Sequence, residues 1–286
     1  MKSVTTWLLA ASLLVSMSSS LSAAATTDAE ALERVIKARS EADRARDDAR
    51  HPAETLAFFQ VEPGMTVAEG LPGAGWYTRI LANYLGGDGA LYGVNYPGHM
   101  WPLFGRGDEW VAERRAATGK FVDQVREFTD AGISARGFTF DTVPAEIAGT
   151  VDRVLLIRAL HNLNRFEGVA GTRTQALAAV HGILAEDGLV GVVQHRLPES
   201  APDEGADGSR GYLKQSAVID FFEKAGFELV ASSEINANPK DQPGADDIVW
   251  RLPPSLSTSR ENPELRAAME AIGESDRMTL LFRKAP

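Results

Sequence analysis

The chain has 286 residues, 44% of them hydrophobic, which is enough to bury one sizeable core, and no repeat or low-complexity tract indicates a second. Its formal charge of −10 argues against polyanionic partners such as nucleic acid or anionic lipid, so we expect a small-molecule or protein partner. The absence of cysteine excludes disulfides, a thiolate nucleophile and thiolate metal sites.

The first 25 residues have the pattern of an export signal. Lys2 supplies a positive start, Trp7–Val15 is a short apolar run, and Leu21–Ala25 offers small residues for cleavage. A membrane anchor is the alternative, but the apolar run is shorter than the roughly 20 residues that a span requires. We therefore predict a signal peptide over residues 1–25, a mature start near Ala24–Thr27, and a periplasmic or secreted protein without stable membrane insertion.

The mature chain, residues 26–286, is predicted to form one domain that begins with helices. Residues 27–50 are charged and alanine-rich with an apolar face, which predicts a helix on the domain surface. His51 and Pro52 then have the pattern of a second helix start.

A strand, a glycine turn and a helix follow, and they organise the rest of the chain. Met65–Glu69 is apolar and short, Leu71–Gly75 is a Pro/Gly break, and Trp76–Leu85 repeats apolar residues at helical spacing. Gly73 and Gly75 would let a ligand approach the backbone where the helix begins. The alternative is that the glycines only make a tight corner.

Strands and helices alternate through most of the remaining sequence, which predicts a parallel sheet. The last two strands lack a helix between them, so we expect the closing strand to be antiparallel. The fold class is therefore α/β, Rossmann-like, with seven strands, an antiparallel last strand, helices on both faces and an insertion over residues 234–273. The predicted strands after the first are Ala90–Asn95, Ser134–Asp141, Val151–Ile157, Leu189–His195, Phe227–Ser232 and Arg277–Lys284.

Polar clusters end two neighbouring strands of this predicted sheet. Arg158, His161 and Asn162 follow the fourth strand, and His195 and Arg196 end the fifth. Ligands of such sheets bind at the carboxyl ends of the strands. A single histidine there is more often structural, but two adjacent clusters favour a site. No His-x-x-x-His pair supports a metal centre, so we expect no metal.

Several motifs together resemble a known family. They are Glu69, Pro72–Thr78, Asn95, Arg158 with His161-Asn162, His195-Arg196, Glu234–Pro239 and Gly273–Arg277. They resemble the class I S-adenosylmethionine (SAM)-dependent methyltransferases, and more closely an exported bacterial group of predicted methyltransferases. The resemblance covers nearly the whole mature chain and implies SAM as the cofactor.

The resemblance also implies positions for the cofactor. Glu69, Gly73 and Gly75 would surround the methionine half of SAM, Asn95 would bind its ribose, and Asp141 would lie near its adenine. The chain departs from the family pattern at two of these places. Leu71 replaces the first glycine of the acidic-x-Gly-x-Gly-x-Gly pattern, and Asn95 replaces the ribose-binding carboxylate.

Methyl transfer to oxygen or nitrogen needs a base and an oriented acceptor. His161 is the first candidate base, since an imidazole titrates near neutral pH, and His195 is the second. Arg158 is the third candidate catalytic residue, because a guanidinium can fix a carboxylate or phosphate on the acceptor. The candidate substrate-binding residues are Trp76, Tyr77, Asn162 and Arg196.

Two functional classes follow from the sequence. The first is a SAM-dependent methyltransferase acting on a small-molecule or peptidic acceptor in the cell envelope. The second is an exported protein of the same fold that does not use SAM, and that binds a ligand or carries out other histidine- and arginine-based chemistry. SAM is made in the cytosol, which is a reason to keep the second class.

Overall fold

A computed structural model describes residues 28–286, and the predicted signal peptide lies outside them. The strands are β1 (Thr66–Gly70), β2 (Ala90–Asn95), β3 (Ser134–Thr139), β4 (Val151–Ile157), β5 (Leu184–Leu197), β6 (Leu213–Lys214), β7 (Phe227–Ser233) and β8 (Arg277–Lys284). The helices are α1 (residues 28–38), α2 (Glu41–Arg44), α3 (Asp47–Arg50), α4 (Pro52–Phe58), α5 (Thr78–Tyr84), α6 (Asp108–Phe128), α7 (Leu160–Arg165), α8 (Glu167–Ala170), α9 (Thr172–Ile183), α10 (Gln215–Lys224) and α11 (Pro263–Ile272).

The strands form one mixed sheet in the order β3-β2-β1-β4-β5-β8-β7. The first five strands in this order pair in parallel, and β8 runs antiparallel between β5 and β7. The predicted α/β sheet with an antiparallel last strand is confirmed. The structure adds an eighth strand to the seven predicted, since the two-residue β6 pairs with the end of β5. A strand of two residues is too short to leave a periodic signal in the sequence.

Helices cover both faces of the sheet and bury the central strands. Leu155 of β4 packs into a core with α4 and α5, while its neighbours Val154 and Leu156 belong to the core on the other face. Burial on both faces explains why β4 is almost continuously apolar. Among the described residues, the model contains no helix with both the length and the apolar character needed to cross a bilayer.

The segment predicted as one helix over residues 27–50 is three helices. The first break falls before α2, where the Ser40 Oγ accepts a hydrogen bond from the backbone N–H of Asp43 at 3.2 Å and caps a new helix. The second break falls at Ala45 and Arg46, between α2 and α3. The third helix, α3, ends at His51, which has a left-handed conformation with φ of 41°. Pro52 then begins α4, as predicted.

Gly75 of the glycine turn is fixed by packing. Its φ is +79°, and a Cβ atom there would lie 2.5 Å from the Cε2 atom of Phe128 at the end of α6. Gly75 therefore needs no ligand to explain it. The other glycine of the turn, Gly73, has φ of +58° and only open space around its Cβ position beyond the Leu71 carbonyl at 3.8 Å.

Gly75→Ala should destabilise the protein more than Gly86→Ala. Both glycines have positive φ, so each alanine costs about 1–2 kcal/mol of backbone strain. Gly86 has nothing within 4 Å of its Cβ position, whereas Gly75 meets Phe128, which adds about 1–3 kcal/mol. Urea unfolding of the two variants measures the difference, and equal losses would show that Gly75 is not a packing position.

Candidate functional site

The backbone makes the same kind of turn after β1 and after β4. The residue after each strand is non-glycine with positive φ, Leu71 at 59° and Arg158 at 60°. Each donates its backbone N–H to the next strand, Leu71 to the Val94 carbonyl at 2.8 Å and Arg158 to the Val193 carbonyl at 2.7 Å. The chain therefore turns sharply away from the sheet at both places, and a cleft opens above the strand ends.

A cavity of about 640 Å³ lies in this cleft, which is within the range of small-molecule sites. Pro72 and Gly73 of the turn, Asn95 at the end of β2 and Asn162 in α7 contribute to its lining. Two groups of side chains dominate the rest of the wall: the aromatic residues Tyr96, Trp101, Phe104, Trp110 and Trp250, and the arginines Arg106, Arg114, Arg165 and Arg260. No carboxylate is among the lining residues, so the wall favours an aromatic or anionic guest.

Two amide oxygens are available to a ligand in the cavity. The Asn95 Nδ2 atom donates to the Thr118 hydroxyl at 3.1 Å, which leaves its Oδ1 atom as an acceptor. The Asn162 Oδ1 atom is buried and has no hydrogen-bond partner among the described residues, while its Nδ2 atom lies 3.1 Å from His161 Nε2. A buried acceptor without a donor is costly, and a ligand N–H or O–H group would satisfy it.

The other predicted cofactor residues lie at the edge of this arrangement. Gly73 lines the cavity and its carbonyl accepts from Gln124 at 3.2 Å. Asp141 is exposed beyond the end of β3, where it accepts from the Thr139 hydroxyl and lies 3.7 Å from His99. Gly75 and Glu69 lie behind the cavity wall, so direct contact with a cofactor in this cavity is expected only of Gly73 and Asn95.

Glu69 is a buried carboxyl group at the end of β1. Its Oε2 atom accepts from the Thr78 hydroxyl at 2.7 Å, which fixes the first turn of α5 to the strand. Burial raises the pKa of Glu69 to about 7, and the Thr78 hydrogen bond opposes this rise only in part. Glu69 therefore takes up or releases a proton near neutral pH.

The two predicted histidines come together, with ring centroids 5.7 Å apart. His161 lies in the first turn of α7, just beyond the strand end where it was expected. It is 6% exposed, and both ring nitrogens have protein partners: Nδ1 lies 3.4 Å from Gln194 Oε1, and Nε2 faces Asn162. Burial lowers the pKa of His161 to about 4, and the nearby Arg158 and Arg165 contribute to this shift. The hydrogen bond with Gln194 opposes the shift only in part. Its ring is neutral and held on both sides.

His195 is the more accessible of the two rings. Its Nδ1 atom lies 2.6 Å from the Ser275 hydroxyl, and its Nε2 atom has no hydrogen-bond partner within residues 28–286. The residue is half-buried. Burial lowers its pKa well below the usual value, and the neighbouring His161 and Arg158 lower it further. A neutral ring with one free nitrogen can accept a proton from a ligand.

Three of the predicted substrate-binding residues have structural contacts. Arg196 donates to the carboxylates of Glu234 and Asp276, with contacts as short as 2.6 Å and 2.8 Å. The Trp76 indole N–H donates to the Asp43 carbonyl at 3.0 Å, and Tyr77 is buried beneath it. These contacts account for the three side chains without a ligand, whereas Asn162 reaches the cavity.

Sequence reasoning missed much of the cavity wall. Trp110, Arg114 and Gln124 come from α6, and Trp250 and Arg260 come from the insertion. The one signal was Trp110, because a tryptophan is unusual on a helix that is otherwise rich in charged residues. No cluster of metal-binding side chains is present in the part of the chain that the structure describes.

The chain matches no protein-family model and no curated protein. Solved structures share its fold at low identity. A chain of the Haloferax volcanii complex that contains the Trm112 methyltransferase activator is 18% identical with a TM-score of 0.50, over 85% of this chain and 94% of that chain. The cyclase SpnF is 13% identical with a TM-score of 0.51, over 83% and 80%. The Burkholderia thailandensis 1,6-didemethyltoxoflavin-N1-methyltransferase is 13% identical with a TM-score of 0.46, over 99% and 94%.

The chain has the class I methyltransferase fold. The sheet, with one antiparallel strand beside β5, and the two neighbours with TM-scores of 0.50 and 0.51 confirm the predicted fold class. At 18% identity or less the likeness is one of fold.

Glu69→Gln should make the protein more stable at high pH. The folded protein binds the Glu69 proton more tightly than the unfolded chain, so the free energy of unfolding falls as pH rises from 4.5 to about 7. Glutamine removes this loss, so the variant should exceed the wild type by about 1–3 kcal/mol at pH 8 and match it near pH 4. Urea unfolding at both pH values tests this, and a variant less stable at pH 8 would show that an ionised Glu69 stabilises the fold.

Proposed function

We propose that the protein is a SAM-dependent methyltransferase. The observation that carries the proposal is the cavity at the carboxyl ends of β1 and β2, on a methyltransferase fold, with a bare glycine backbone at Gly73 and free amide oxygens at Asn95 and Asn162. In open α/β sheets nucleotide-like ligands bind in this crevice. The Haloferax volcanii complex contains a methyltransferase, which supports the proposal.

Some residues of the cavity match the ribose and the base of SAM. Asn95 Oδ1 would accept a hydrogen bond from one ribose hydroxyl, with a net value of about 1 kcal/mol, in place of the two bonds that a carboxylate accepts. The rings of Trp101 and Phe104 offer flat apolar surfaces for a base. When bound, SAM supplies an electrophilic methyl group on a positively charged sulphur.

The chain's own residues would orient the acceptor and take its proton. We place His195 ahead of His161 as the base, contrary to the order expected from the sequence. Of the two, only His195 has a ring nitrogen without a hydrogen-bond partner among residues 28–286. His161 holds Asn162 at the cavity wall and is better suited to positioning. Arg158, which has positive φ at the end of β4, would bind a negative group on the acceptor.

The acceptor we propose is a small molecule or peptide of the cell envelope that carries negative charge. The arginines of the cavity wall support the charge, and the signal pattern of residues 1–25 supports the location. Recovery of intact Met1 from the cytosolic fraction would contradict the location.

A protein of this fold that does not use SAM is the second candidate function. Leu71 and Asn95 replace two residues of the usual cofactor pattern, and the cavity wall has four arginines and no carboxylate to face a cationic cofactor. The fold neighbour SpnF is described as a cyclase, so the fold accommodates other chemistry.

Titration of the mature protein with SAM or its demethylated product by calorimetry separates the two candidates. We expect binding in the wild type and its loss in Gly73→Val, whose side chain would project into the cavity. Gly86→Val is the matched control, since Gly86 also has positive φ and open space but lies away from the cavity. Absence of binding in the wild type, or equal binding in folded Gly73→Val, would contradict the proposal.

His195→Gln should lose activity, whereas His161→Gln should lose stability. Loss of the base should reduce turnover by roughly 10²–10⁴-fold with little change in melting temperature. Loss of His161 should cost about 1–3 kcal/mol of stability, because Gln194 and Asn162 lose their partner in a buried place. Methyl-transfer assays and thermal melts of both variants measure this, and the reverse pattern would return the role of base to His161.

A further inference from the structure

A buried cluster of arginines lies beside the catalytic candidates, at the junction of α3, β4 and β8. It consists of Arg46, Arg50 and Arg277, which contact one carboxylate, Glu274, and of Arg158, which lies near Glu274 without contacting it. Arg46 and Arg50 contact Glu274 at 3.0 Å and 3.1 Å, and Arg277 contacts it at 3.1 Å. We call this cluster the arginine cage. Its positive charge greatly exceeds its negative charge.

Several donors of the cage have no partner. Arg50 is 2% exposed, yet both of its terminal nitrogens, Nη1 and Nη2, are buried without a hydrogen-bond partner among the described residues. The Arg277 Nε atom is also buried without a hydrogen-bond partner among the described residues. Only the ring of Trp76, 4.7 Å from the Arg50 guanidinium carbon, faces that group. Buried charged donors of this kind normally have an acceptor, and a bound oxyanion would supply one.

Arg158 shows that the cage is reachable. It forms no ion pair and no side-chain hydrogen bond with any residue from 28 to 286, and it is half-buried. Desolvation by the surrounding protein nevertheless lowers the pKa of Arg158. Glu274 raises this pKa, whereas Arg277 and Arg46 lower it further. Burial also lowers the pKa of Arg50 to about 9, with Arg158 as the next cause. Arg158 therefore lies at the carboxyl edge of the sheet beside β5, where a solute can approach it.

The two histidines connect the cage with the cavity. His195 of β5 is paired in register with Arg277 of β8. Its ring lies 5.7 Å from that of His161, which contacts Asn162 at the cavity wall. A ligand seated in the cage would therefore have His195 beside it. Arginine donors in a planar fork match the oxygens of a carboxylate or a phosphate.

We propose that Arg50, Arg158 and Arg277 form a binding site for an oxyanion, a carboxylate or a phosphate, that belongs to the methyl acceptor. The acceptor part of this assignment rests on the proposed methyltransferase function; the oxyanion part rests on the cage alone. The carboxylate of SAM is the other possible source of the same chemistry, and the experiment separates the two.

Inorganic phosphate is the probe. Thermal melts of the mature protein at pH 7 and constant ionic strength, with sodium phosphate replacing sodium chloride, should show a saturable rise in melting temperature. Arg158→Asn should weaken the apparent phosphate affinity roughly 10-fold or more. Asparagine suits this position because it tolerates positive φ. The matched control is Arg266→Gln, which removes an exposed arginine paired only with Glu270 and should keep the wild-type response.

The melting temperature in chloride distinguishes an arginine that binds a ligand from one that stabilises the fold. Because Arg158 adds repulsion and no partner, Arg158→Asn should melt at or above the wild-type temperature without phosphate. A variant that melts well below the wild type, or that keeps the full phosphate response, would overturn the proposal. So would a wild type that responds equally to phosphate and chloride, a measurement that needs no variant.

Titration with the demethylated cofactor in the presence and absence of phosphate identifies the source. Independent or mutually strengthened binding of the two supports an acceptor site, whereas competition would assign the cage to the cofactor carboxylate and overturn the acceptor assignment. Phosphate binding in a protein that binds no cofactor would refute the methyltransferase function and leave the oxyanion site in place. Cofactor binding without a phosphate response would do the opposite.

Discussion

The carboxylate of Glu274 joins two parts of the chain that are far apart in sequence. Arg46 and Arg50 come from the N-terminal helices, and Arg277 opens β8. Burial raises the pKa of Glu274, but Arg50, Arg277 and Arg46 more than reverse this and keep the carboxyl ionised. Removal of one partner from a buried pair is strongly destabilising, by about 3–5 kcal/mol, because a charge is left uncompensated. Glu274 therefore helps to fix the position of the N-terminal helices, together with the hydrogen bonds from Trp76 to Asp43 and from Arg277 to Ala49.

The same junction shows how much of the structure sequence could predict. The strand order follows from alternating strands and helices and from one missing crossover, so the fold was predictable from local patterns. The cage was not, because Arg50 and Glu274 are 224 residues apart and no local pattern relates them. The histidines were found since both lie near the ends of neighbouring strands, where topology alone brings them together.

The roles of individual residues were harder to predict than their positions. Arg196 lies beside His195 in sequence, but successive residues of a strand point to opposite sides, so Arg196 meets Glu234 and Asp276 instead. Gly75 has the sequence context of a ligand-binding glycine, and only the three-dimensional approach of Phe128 shows why it must be glycine. The motif residues Asn236 and Asn238 likewise bind Thr55, Thr279 and the Glu274 carbonyl, and fix the insertion to the sheet.

Charge links the cavity, the cage and the choice between the two functions. SAM carries net positive charge, and the cavity wall offers it four arginines and no carboxylate. Glu69, the buried carboxyl behind the wall, has a pKa of about 7 and is only partly ionised at neutral pH.

An oxyanion in the cage would offset the charge of the arginines and make the cavity more favourable for a cation. By reciprocity, the cation would then favour the oxyanion to the same extent. A methyltransferase built in this way would bind donor and acceptor cooperatively, whereas a protein without SAM would need only the anion. The unusual residues at positions 71 and 95 are then compatible with a cofactor site that becomes complete when the acceptor is bound.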